Sequence, residues 1–239
     1  MYRIRPLPIL NTYLDTGIFT YRANYGQKVK VTFYSWYIEG AKEKIIVDTG
    51  ISAADLRSYR GFECKEIQSF ESALDSVGLK PEDIDIVIQT HLHYDHSWNT
   101  PKCKNARVVV QESELKFALS PHPVMWEIYN RETFKNLRFH VVRGDTEIIP
   151  GIKLIHAPGH TPGTQAVAVK TEKGLAVISG FCSIDLTFKA PPESMQQVQT
   201  PGTHTDALAA YDSAVLIKGL ADILIPQHDP RFSEVEVLP

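Results

Sequence analysis

A chain of 239 residues, 43% hydrophobic and 22% charged, has enough apolar mass for one sizeable core and the balance of an ordinary globular protein. Its formal net charge of −3 offers no basic surface to phosphate backbones, which argues against nucleic acid as a partner. Three cysteines without paired spacing, Cys64, Cys103 and Cys182, point to a reducing compartment rather than a disulfide scaffold.

Residues 1–10 carry two arginines and two prolines rather than an apolar run. No secretory signal or membrane partner is expected, and the cytoplasm is the expected location. Val31–Ile38 is β-branched and aromatic and reads as a strand; Lys44–Val47 is a short apolar run closed by Asp48-Thr49-Gly50. Apolar residues at Phe70, Ala73, Leu74 and Val77 predict a helix over 69–77 that stops at Gly78. Pro81 restarts the chain, and Ile84–Ile88 reads as a buried strand running into Thr90–His96. A strand at Arg107–Val110, a short helix at Glu112–Leu119 and, after breaks at Pro121 and Pro123, a helix at Val124–Lys135 follow. Strands are expected at Phe139–Val142, Ile152–Ile155, Ala166–Val169 and Leu175–Ile178, then a helix over Thr205–Gly219 and a strand at Ile223–Ile225. Short strands with helices between them imply a layered α/β protein, two sheets covered by helices. No repeat or linker divides it, so a single domain spanning 1–239 is expected.

The chemistry concentrates in His91-Leu92-His93-Tyr94-Asp95-His96. Histidines at i and i+2 of an extended chain point to one side, so one cation can reach both. Asp95 and His96, just beyond, can turn toward a second site. Such a cluster directly after a buried strand is costly unless a divalent cation neutralises it. Pro158, Gly159, Pro162 and Gly163 force a tight loop that can hold His160 at a strand end. His228 stands where a buried strand gives way to a polar turn, the place from which α/β folds present functional groups. Near the last helix, His204 is a candidate substrate contact, but Thr205 or Asp206 as the helix cap is the better local reading. His122, His140 and His156 carry no motif and read as incidental. Phe33, Tyr34, Trp36 and Tyr37 read as sheet core, with one or two free to line a pocket.

The run from His91 to His96 matches the H-x-H-x-D-H signature of the metallo-β-lactamase superfamily. Ile46–Gly50, Ala157–Gly163 and Ile225–Asp229 resemble, in order, its VDTG, PGHTPG and C-terminal histidine segments. The resemblance covers most of the chain. It implies a four-layer αβ/βα sandwich of two mixed sheets covered by helices, and a binuclear site. One divalent ion would take His91, His93 and His160, and a second Asp95, His96 and His228. Asp48 would hydrogen-bond a ligating histidine. Zinc is the expected metal, with iron or manganese as alternatives.

The chain departs from the family pattern where a Gly-Asp pair supplies a carboxylate bridging both ions. Ser179-Gly180-Phe181-Cys182 puts Phe181 there, or, shifted by one, Cys182. A thiolate is a good zinc ligand, and the competing reading of Cys182 is a small buried core residue. Asp185 is a third option.

Two cations sharing a water bring its pKa toward neutrality, and a metal can polarise a carbonyl and stabilise the oxyanion. Asp95 is placed to move the nucleophile's proton to the leaving group. The implied reaction is hydrolysis of an ester, lactone, thioester or amide in a small-molecule substrate. Among relatives the chain looks most like the N-acyl-homoserine-lactone lactonases, by its size, its single-domain layout, its HLHYDH form and its His228-Asp229-Pro230 ending. A lactone is therefore the first expected substrate, and a glyoxalase-II-like thioesterase the alternative. Two readings belong to another class: a diiron redox protein, whose flavodiiron relatives carry an acidic residue where Leu92 stands, and a metal-stabilised module without catalysis. A homodimer is left open, and nuclease relatives are disfavoured by the acidic charge.

Overall fold

The structure, a computed structural model, describes residues 1–239. One sheet is built from β1 (Arg3–Asp15), β2 (Lys28–Glu39), β3 (Ile45–Val47), β4 (Cys64–Glu66), β5 (Ile86–Ile88), β6 (Arg107–Gln111) and β7 (Phe139–Val142), in the order β4-β1-β2-β3-β5-β6-β7. The other contains β8 (Thr146–Ile149), β9 (Ile152–His156), β10 (Gln165–Thr171), β11 (Gly174–Ile178) and β12 (Ile223–Ile225), in the order β12-β11-β10-β9-β8. Both are mixed: β3, β5, β6 and β7 run parallel in the first, and β11 and β12 in the second. The helices are α1 (Ala53–Arg60), α2 (Phe70–Asp75), α3 (Tyr94–Ser97), α4 (Glu112–Leu119) and α5 (Ala207–Leu220). No helix is long and apolar enough to cross a membrane.

The period of two along each strand explains the layering. Ile45 and Val47 of β3, Ile86 and Ile88 of β5, and Val167 and Val169 of β10 meet in one core between the sheets. Their neighbours Ile46 and Val87 face outward against Phe70, Ala73 and Leu74 of α2. On the second sheet Ala166, Ala168 and Val177 face Ala214 and Ile217 of α5. The result is the expected order of helix, sheet, sheet and helix. Ser69 and Asp206 cap α2 and α5, the latter accepting from the N–H groups of Leu208 and Ala209.

The structure adds α1, β4 and β8, which the sequence pattern leaves unassigned, and two longer stretches also differ from expectation. Val124–Lys135 is not one helix but two 3-10 turns, Pro123–Ile128 and Arg131–Thr133. Between them Tyr129 is extended and buried, its ring edge-on to His93, and the Asn130 side chain accepts from Glu132 N–H to start the second turn. Burial of one ring and a local cap outweigh helical propensity here. Arg3–Asp15, unassigned by pattern, is the longest strand. Its Pro6 and Pro8 lie before the residues that pair with β4, where one side of the strand is free and a missing N–H is tolerated.

The topology gathers the polar motifs at one rim of the sandwich. Asp48 follows β3, Thr90 and His91 follow β5, Gly180–Cys182 follow β11, His228 follows β12, and His160 sits in the β9–β10 connection.

Candidate metal centre

Two clusters of donor atoms form at that rim. Ligand atoms of His91, His93 and His160 lie within 4.8 Å of one another, and those of Asp95, His96 and His228 do likewise. All five histidines are buried. His93, Asp95, His96, His160 and His228 line one cavity of about 160 Å³.

Hydrogen bonds decide which ring nitrogens are available. His91 Nδ1 donates to the Gly180 carbonyl (2.9 Å) and His160 Nδ1 to the Thr203 carbonyl (2.6 Å). Each ring therefore carries its proton on Nδ1 and turns a bare Nε2 inward, and these two Nε2 atoms stand 3.1 Å apart. Two lone pairs facing each other need either a second proton on one ring or a cation between them. The proton is opposed by burial first and then by the surrounding rings, which hold His91 well below 6.5 and bring His160 down to about 4. A divalent ion bonded at about 2.0–2.1 Å to each nitrogen fits the separation. His93 Nε2 is buried without any hydrogen-bond partner, as is His228 Nδ1. The donor set fits divalent ions.

The second cluster is held differently. His96 Nδ1 donates to Asp48 Oδ2 (2.7 Å), and its Nε2 lies 3.4 Å from Asp95 Oδ2. Burial opposes the charged ring, but Asp95 and Asp48 together push its pKa up to about 10. Burial likewise opposes ionisation of Asp95, and His96 overrides it, so the carboxyl is held well below the usual range. His228 Nε2 is 3.7 Å from the same Asp95 oxygen, and burial brings that ring down to about 3.

Asp48, expected from the sequence to hydrogen-bond a ligating histidine, accepts from His96 Nδ1. Its carboxylate also accepts from Thr90 N–H (2.8 Å), the Thr90 hydroxyl (2.7 Å) and Gln227 Nε2 (2.9 Å). These bonds hold Asp48 at φ +55, a left-handed conformation costing on the order of 1 kcal/mol or more in a non-glycine residue.

Other candidates are placed elsewhere. Cys182 lines the cavity without joining either cluster, and burial pushes its thiol far above 9. Phe181 is buried in the core beside Phe188, so no carboxylate stands at the family's bridging position. Asp185 stands outside both clusters in a surface ion pair: its oxygens engage Lys189 (2.6 Å) and Arg231 (3.0 Å). His204 donates to the Pro201 carbonyl and packs edge-on to Tyr21, outside the cavity lining.

Sequence reading missed Glu114, Tyr129 and Gln227. Glu114 is wholly buried on α4 and accepts from Leu92 N–H (2.8 Å), the Tyr129 hydroxyl (3.1 Å) and the Thr161 hydroxyl. A signal existed: Glu114 and Ala118 share the inward stripe of α4, at i and i+4.

Residues 34–228 match the family profile described as the metallo-beta-lactamase superfamily. The chain belongs to this superfamily. Among its relatives is an N-acyl homoserine lactonase of Bacillus cereus, 28% identical over 166 residues, a match covering 64% of this chain and 65% of that one. The chain thus spans just under two thirds of that relative's length. The structure of a quorum-quenching N-acyl homoserine lactone lactonase superposes with a TM-score of 0.78 at 24% identity, covering 97% of this chain and 94% of the other. A dizinc quorum-quenching lactonase in complex with a product superposes at 0.68 with 17% identity, covering 99% and 88%. These likenesses establish the superfamily's fold of two mixed sheets and outer helices.

Proposed function

We propose that this chain is a metal-dependent hydrolase of small carbonyl esters, with a lactone of the N-acyl-homoserine type as its first substrate and residues 1–239 acting as one domain. The observation that carries the reading is the convergence of two three-donor clusters, five of whose six residues line one cavity, with bare imidazole nitrogens turned inward. His91, His93 and His160 would hold one ion, and Asp95, His96 and His228 the other. Zinc suits neutral imidazoles with a single carboxylate, and the dizinc relative supports it. When bound, such ions supply Lewis acidity and a water acidified to near neutral pH.

The chain's own residues do the rest. Asp95 is the only carboxylate lining the cavity, and it is held ionised. Its oxygen takes up the proton released by the attacking water and delivers it to the leaving oxygen. Leu14, Ile18, Phe33, Phe62 and Ile128 form an apolar wall that accepts an acyl chain or ring and keeps bulk water out. Cys182 belongs to that wall in this reading, as a protonated thiol.

The test is turnover of a lactone panel and a thioester panel by zinc-loaded protein, followed by proton release and product analysis. Ring opening of lactones is expected. Turnover of thioesters alone would transfer the assignment to the thioesterase alternative, and none on either panel would overturn it.

A further inference from the structure

α4 turns one acidic side chain inward. Glu112 on the same helix pairs with Lys116 and Arg143 at the surface, whereas Glu114 is 0% exposed. A buried carboxylate normally requires a cation beside it. The partners of Glu114 are all neutral: the N–H groups of Leu92 and Gly163 and the hydroxyls of Thr161 and Tyr129. They are also not scattered. Leu92 stands between His91 and His93, and Thr161 and Gly163 continue the loop that carries His160. Tyr129 sets its ring edge-on to His93, with centroids 4.8 Å apart. The fit is close enough that a Cβ on Gly163 would lie 2.1 Å from the Glu114 nitrogen.

We infer that Glu114 is the positioning residue and the counter-charge of the three-histidine site. One carboxylate ties together the two segments that carry the three ring nitrogens. Burial opposes its ionisation and the four donors favour it, and the charge they hold would compensate an ion that neutral imidazoles alone leave uncompensated. This rests on the metal reading above and adds the group that makes the neutral cluster selective for a cation.

The test is zinc titration of chelator-stripped protein in two parents: His228→Ala, which reports the three-histidine cluster, and His93→Ala, which reports the other. Glu114→Gln keeps the shape and removes the charge. In the first parent it is expected to weaken zinc binding about ten- to a hundredfold, and in the second to leave it within about twofold. Thr161→Val, which keeps the carboxylate and removes one donor, is the milder probe should the glutamine variant not fold, with about threefold weakening expected at the first cluster only. Equal losses at both clusters would mean a purely structural role and overturn the inference, as would unchanged binding at the first. If wild-type protein takes up no zinc, the metal reading fails, and this inference fails with it.

Discussion

Five of the six donor residues line one cavity, but the two clusters they form are built on opposite principles. His91 and His160 are aimed by backbone carbonyls, those of Gly180 and Thr203, and the chain segments around them are tied by Glu114. His96 is aimed by a carboxylate, Asp48, and faces a second one, Asp95. The rings of the first cluster are therefore kept neutral by burial, their one acidic neighbour Glu114 bonding the chain rather than a ring, while the second is a charged network in which a proton or a divalent ion balances two carboxylates. Carbonyl anchors set direction without adding charge. Carboxylate anchors set direction and raise the affinity for any cation, protons included. A site built from both types has one pole whose geometry resists change and one whose occupancy responds to pH.

That contrast can be broken or sharpened experimentally. The largest effect is expected from His160→Ala, which removes a donor from the neutral cluster: lactone or ester turnover should fall at least about a thousandfold. Retention of near-normal turnover would show that this cluster holds no catalytic ion. Asp48→Asn should act on the charged pole, since an amide cannot accept from all the donors around it. The expected loss is about 3 kcal/mol of stability by denaturant midpoint, with zinc affinity at the second cluster falling about tenfold or more. Gly163→Ala strikes the neutral pole without touching a donor. Its methyl would meet Glu114 nitrogen at 2.1 Å, and a loss of about 1–3 kcal/mol should appear as a lower Tm.

Metal-free protein should lose stability on both sides of about pH 6.5, for opposite reasons. His160 and His228 have folded pKa values of about 4 and about 3, below their ordinary 6.5. The unfolded chain therefore takes up their protons first, and stability declines as pH falls from 6.5 toward those values. His96, raised to about 10, contributes stability that is fully present below 6.5 and lost as pH climbs toward 10. Thermal unfolding across pH checks both slopes, and a flat alkaline limb would remove the charged-pole description. The smallest effect belongs to Asp185→Asn. Its carboxylate pairs with Lys189 and Arg231 at the surface, so stability should shift by no more than about 1 kcal/mol and metal content not at all.

The sequence by itself determined what depends on neighbours along the chain. The alternation in β3, β5 and β10 sorts their side chains between the inner core and the helices, and the six-residue motif brings His91, His93, Asp95 and His96 to a strand end. Period and spacing are local properties, so they were legible before any fold was known. Proline and glycine likewise announced the His160 loop. What only the tertiary structure decided depends on partners brought from afar. Asp48 meets Gln227 across 179 positions, and Glu114 reaches back 22 residues to Leu92. Tyr129 leaves a helical pattern to bury its ring on His93, and Phe181 turns into the core while Asp185 turns to the surface. Each of these is settled by which environment satisfies a buried polar or apolar group at lowest free energy. That environment is assembled by the two sheets packing face to face, and no segment of the chain carries it alone.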